Sequence, residues 1–141
     1  MFGVLFNFEM GDKMMGVKQL SFFSEVNEKE VRRIVGRELK QYKALKVSLE
    51  NKLERQEAGI AFLYPSLHSE ESKKELKVKQ MERALQNALD DIEREIIKQK
   101  YLSTTRVKDI NLYIEMGLTK DQYYSYKRQA ILQIATALGI I

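Results

Sequence analysis

The chain has 141 residues, 44% of them hydrophobic and 31% charged, with a net charge of +4. That is room for one domain, or one domain with a helical appendage, and it is too apolar for a disordered chain. The absence of cysteine excludes disulfides, thiolate metal sites and cysteine nucleophiles, and no apolar run approaches the roughly 18 residues of a membrane span, which together fit a cytoplasmic protein.

One proline and seven glycines leave long uninterrupted stretches, the signature of an all-α chain. Residues 1–23 have no clear period and read as an irregular tail. Phe2, Leu5, Phe6 and Phe8 lack the basic flank and small-residue cleavage site of a signal peptide. Met14 and Met15 precede a more regular stretch, which makes Met14 a candidate start of translation.

Residues 24–68 are expected to hold a long helix and a connecting loop. Asn27 is a suitable N-cap, with Glu28 and Glu30 in the first turn to complement the helix dipole. Val31, Ile34, Val35, Leu39, Tyr42, Leu45, Leu49 and Leu53 then recur in threes and fours, which predicts an amphipathic helix of about 28 residues. Gly36 interrupts it at a cost of about 1 kcal/mol relative to alanine. Ala58 to Ser69, with Gly59 and Pro65, reads as a connection whose Ile60, Phe62, Leu63, Tyr64 and Leu67 plug a core. His68, the one histidine, reads as a solvated loop residue rather than a ligand or a base.

Residues 69–141 are expected to form a second long helix and a helix-turn-helix. Ser69 or Ser72 opens the helix. Its stripe runs through Leu76, Val78, Met81, Leu85, Ala88, Leu89, Ile92, Ile96 and Ile97 to Tyr101, close to a heptad repeat between Val78 and Ile92. Two such helices form either a hairpin within the chain or a coiled-coil segment between two copies. Glu70–Glu71 and Asp90–Asp91 fall on outer helix faces with no cleft for acid–base chemistry, and there is no phosphate-binding glycine loop. The sequence therefore reads as a non-enzyme without metal or cofactor.

Ser103, Thr104 and Thr105 mark a break before two shorter helices, Val107 to Glu115 and Lys120 to Leu138, with Gly117 between them. A helix-turn-helix needs facing apolar residues and a glycine in the turn. Leu112, Met116, Leu118, Tyr123 and Tyr126 supply the first and Gly117 the second, while Thr119 and Gln122 have capping-box spacing. Tyr113 departs from the pattern, because a small residue normally stands there to let the second helix approach. With Tyr123, Tyr126, Ile131 and Ile134 inward, Asp121, Tyr124, Ser125 and Arg128 share the outer face. There Arg128 suits a bidentate guanine contact and Ser125 either base type. Arg106, Lys108, Lys120 and Lys127 suit phosphates. Thr119 and Gln122 complete the candidate DNA-binding set at the start of the second helix. A further basic run has seven cations (Lys29, Arg32, Arg33, Arg37, Lys40, Lys43, Lys46) against Glu30 and Glu38. It is either a solvated face or a second contact to the DNA backbone.

LSFFSEVNEKEVRRIV (Leu20 to Val35), MERALQNALDDIEREIIKQKYL (Met81 to Leu102) and DINLYIEMGLTKDQYYSYKRQAILQIATALGII (from Asp109) together resemble the ArpU, or autolysin regulatory protein, family of phage-type transcriptional regulators. The C-terminal part is also similar to region 4 of sigma-70-type factors. The resemblance covers the chain after about residue 20. It implies control of phage or prophage late or lysis genes, with Lys120 to Arg128 as the reading segment.

Three functions follow as expectations. The first is a sequence-specific transcription regulator binding double-stranded DNA, with RNA polymerase as a candidate partner and a homodimer if the long helices pair between chains. The second is a phage small terminase subunit, which would assemble into rings on packaging-site DNA. The third is a helical interaction module without DNA.

Overall fold

The computed structural model describes residues 27–67 and 71–141. The expected tail, the Met14 start, His68 and the Ser69 cap lie outside the described residues. The fold is all-α: α1 (Glu28–Glu57), α2 (Glu71–Asn87), α3 (Asp91–Ile97) continuing into a π-helical turn (Lys98–Leu102), α4 (Asp109–Glu115) and α5 (Lys120–Ala137), with no strand among the described residues. No described helix is long and apolar enough to cross a membrane.

Asn27 caps α1, its side chain accepting from the Glu30 N–H at 3.2 Å. The predicted stripe is the buried one: Val31, Val35, Leu39 and Tyr42 enter the core, and Leu45 and Leu49 pack against it. The ring of Tyr101 lies against Gly36, 3.8 Å from where a Cβ would stand. Most of the basic run of α1 is solvated. Arg33 and Arg37 lie beside Glu30 and Glu38, while Lys43 Nζ donates to the Ser103 carbonyl at 2.9 Å.

The connection after α1 differs from expectation. Phe62, Leu63, Tyr64 and Leu67 are 67%, 65%, 80% and 99% exposed, and Ile60 is exposed as well, so they plug no core. The reason is that α2 fills the place they would occupy. Val78, Met81 and Leu85 pack on α1, flanked by contacts from Lys77 to Glu38 and Gln41 and from Tyr42 to Glu82. Ser72, the other expected cap, lies inside α2.

The second long helix is also not continuous. It stops at Asn87 and restarts at Asp91. Asp90 is the N-cap of α3, with Asp91 in its first turn, rather than part of an outer mid-helix face. Its Oδ1 accepts from Glu93 N at 2.7 Å, and Glu93 Oε1 accepts from Asp90 N at 3.0 Å. This reciprocal box satisfies two amide donors, which is why Glu93 is tolerated as a buried acid. Arg94 holds the other side of the corner. Its guanidinium donates to the carbonyls of Leu85 and Gln86, acceptors that the end of α2 leaves over, and to that of Leu89 in the connection, at 2.7–2.9 Å. The heptad spacing therefore spans a bend, not a coiled-coil rod.

The main core draws on both sides of the connection: α1, α2, Ile97, and Ala130, Ile131, Leu132, Ile134 and Ala135 of α5. Each fully buried aliphatic side chain, such as Leu39 or Ile134, contributes about 1.5–3 kcal/mol of hydrophobic stabilisation. A smaller cluster of Ile96, Leu112 and Tyr123 is flanked by Val107, Tyr113, Met116, Leu118 and Tyr126. It joins α3, α4 and the first half of α5.

Candidate nucleic-acid interface

The chain turns between α4 and α5 at Gly117, whose φ is +71°. Gly117 N–H donates to the Ile114 carbonyl at 3.1 Å and Leu118 N–H to the Tyr113 carbonyl at 2.9 Å, the two bonds of a Schellman ending. This ending requires a left-handed residue, so glycine belongs there. Two residues on, Thr119 starts α5. Its hydroxyl accepts from Gln122 N at 3.1 Å, and Gln122 Oε1 accepts from Thr119 N at 3.0 Å. Leu112 and Tyr123 are buried between the two helices, with Met116, Leu118 and Tyr126 partly buried around them, as the spacing predicts. Tyr113 is accommodated as a packing residue: its ring lies 5.7 Å from that of Tyr123 at 50°.

The ten candidate residues divide by environment. Arg106, Lys108, Lys120, Asp121, Tyr124 and Ser125 are exposed. Thr119 and Gln122 are exposed but spend their oxygens on the capping box. Lys127 and Arg128 are not the outward cations expected from the sequence. Lys127 is only 15% exposed and lies over Asp109, with Nζ–Oδ distances of 3.1 and 3.3 Å. It also sits within 6 Å of the rings of Tyr101, Tyr123 and Tyr124. Arg128 forms a two-point pair with Glu28 in the first turn of α1. The cause is tertiary: α4 and α1 lie against α5 and bring Asp109 and Glu28 within reach of Lys127 and Arg128.

Asp109 was not singled out by sequence, yet it organises the site. It accepts from Tyr123 OH at 2.5 Å and from Lys127, with Lys100 Nζ at 3.5 Å. Burial pushes its carboxyl pKa up, but the bonds from Tyr123 and Lys127 and the charges of Lys127 and Lys100 outweigh that and hold it below the usual range. Burial and the Asp109 carboxylate raise the Tyr123 phenol well above its ordinary value. Glu28 is held low, chiefly by its hydrogen bond from Arg128. A signal for Asp109 exists in the sequence, since an acid in the first turn of a short helix complements its dipole, but its partners lie 14 and 18 residues away.

The result is a polar, solvent-facing first half of α5 with an exposed N-terminus and Lys120 in its first turn, and with two further exposed cations, Arg106 and Lys108, in the segment that leads into α4. Such a surface suits an anionic polymer. No group of acids and histidine suited to a metal ion occurs among the described residues. No family model, curated protein or solved structure matches the chain, so the likeness to ArpU regulators rests on the quoted residues alone.

Proposed function

We propose that the chain binds double-stranded DNA through the α4–α5 pair, acting as a helix-turn-helix, and regulates transcription as its resemblance to ArpU regulators implies. In this reading the first turns of α5 enter the major groove. Asp121, Tyr124 and Ser125 face base edges, and Arg106, Lys108 and Lys120 face phosphates. The targets are phage or prophage late or lysis genes, with RNA polymerase as the machinery acted upon.

One observation carries the reading: the Gly117 turn seats α5 on Leu112 through Tyr123 while the residues on either side of Tyr123 stay in solvent. Tyr124, 42% exposed, has an edge-on contact with Tyr123, so its ring is pre-oriented rather than loose.

Selection of bound fragments from random DNA, followed by DNase footprinting, tests the proposal. A discrete protected site supports it. Binding that is wholly sequence-independent, or absent at low salt, overturns it.

A further inference from the structure

We propose that the far end of α1 and the connection after it form a homodimer interface, with a second copy of this chain as the occupant. Leu53, Ile60, Phe62, Leu63, Tyr64 and Leu67 are 44–99% exposed and fall within 15 residues. Summed over the six residues, their exposed surface is on the order of 800 Å², the scale of what each partner contributes to a standard interface.

Three observations favour a copy of the same chain over another partner. The first is register. Leu45 and Leu49 pack against the main core, and Leu53, the next residue in the same stripe, is 59% exposed, so the stripe continues past the part that the core covers. An apolar seam that continues past its own cover can be closed by a second, equivalent seam. The second is charge. Over residues 53–67 the only ionic side chains are Glu54, Arg55 and Glu57 in a protein of net charge +4. Two copies of a strongly basic surface repel, whereas two nearly neutral ones do not, and a nearly neutral patch offers nothing to a polyanion. The third is composition. Phe62 and Tyr64 alternate along the chain with Ile60, Leu63 and Leu67, and aromatic side chains are enriched at the buried centre of protein interfaces.

The patch lies at the opposite end of α1 from the Glu28–Arg128 pair. A helix of 30 residues is about 45 Å long. A dimer formed there leaves the first half of α5 exposed, so the inference stands or falls independently of DNA binding.

Light scattering and sedimentation on the full chain, from micromolar to a few hundred micromolar, test it. The expected mass rises from 16.5 kDa toward twice that value. The double variant Phe62→Asp/Tyr64→Asp should remain at 16.5 kDa with unchanged far-ultraviolet circular dichroism, because neither side chain is in a core. The natural sequence has no cysteine, so a Leu67→Cys variant carries one thiol and should give a disulfide-linked dimer under mild oxidant. Lys40→Cys, on the exposed face of α1 well away from the patch, should not. A wild-type chain that stays monomeric, a dimer that survives the double variant, or a Leu67→Cys variant that fails to cross-link overturns the inference.

Discussion

Arg128 Nε and Nη2 lie 2.8 and 2.6 Å from the two carboxylate oxygens of Glu28, a residue 100 positions earlier. The pair ties the first turn of α1 to the middle of α5, next to the exposed residues Tyr124 and Ser125. Its side chains are 38% and 27% exposed, so solvent screening limits its worth to about 1 kcal/mol. Glu28→Gln should lower stability by about that amount at neutral pH. Because Arg128 depresses the folded pKa of Glu28 below 4.5, this contribution is present above pH 4.5 and lost as pH falls through the folded value. Urea titrations of wild type and variant should therefore differ at pH 7 and converge in strong acid. If the DNA-binding proposal holds, Glu28→Gln also releases a cation beside the reading face and tightens binding.

Gly117→Ala should cost about 1–2 kcal/mol in chemical denaturation, the penalty of a left-handed non-glycine residue. A Cβ there meets nothing within 4 Å, so the whole effect is backbone strain, with no clash. Gly117→Asn should cost less, because asparagine tolerates that conformation. Equal losses for the two would point to a packing origin instead.

Asp109→Asn keeps the shape of the side chain but removes the charge that Lys127 and Lys100 face. Hydrogen bonds to a charged group are worth about 1.5–3 kcal/mol, so a loss of about 2 kcal/mol is expected at neutral pH. The variant should also lower the pH at which Tyr123 ionises. In wild type, the raised phenol pKa gives stability that is complete below pH 10 and is lost as pH rises beyond it. Tyrosinate absorbance near 295 nm, followed through alkaline unfolding, checks both statements.

The corner between α2 and α3 rests on Asp90 and Arg94. Asp90→Ala should cost about 1 kcal/mol as a lost N-cap. Arg94→Ala should cost more, since the carbonyls of Leu85 and Gln86 in α2 and of Leu89 in the connection lose their donor together. Hydrogen exchange should localise the loosening to residues near 85–94.

Lys108→Gln and Lys120→Gln should leave the fold intact, since both side chains are exposed. If the chain binds DNA as proposed, each should reduce the salt dependence of that binding by roughly one unit of slope and weaken all sequences alike. Tyr124→Ala or Ser125→Ala should change sequence preference at individual positions and leave the slope unchanged. Affinity measured against salt concentration, on selected and random DNA, separates the two behaviours.

Much of this architecture could be read from local signals. The caps at Asn27 and Thr119, the left-handed Gly117 and the inward set Leu112, Tyr123, Ile131 and Ile134 depend on residues within one or two helical turns. The sequence therefore carries them openly. The Asp90 box was equally local, with Asp90 and Glu93 at the right spacing. It was masked because the apolar stripe continues through Leu89, Ile92 and Ile96 with helical steps, and periodicity does not register a bend that preserves phase. The connection after α1 misled for another reason. Apolar content predicts burial only where a partner surface is left over, and α2 had taken the surface in question.

The order of helices, their caps and the inward face of α5 belong to the sequence, because each is decided by interactions within a few residues. Which cations remain on the surface was settled only in three dimensions. Lys120, Lys127 and Arg128 look alike along the chain. Lys127 and Arg128 meet Asp109 and Glu28 because α4 and α1 bring those acids alongside α5, whereas Lys120, at the start of the helix, stays in solvent. A long flexible side chain goes to whatever opposite charge lies within its reach, and that depends on packing between segments up to 100 residues apart.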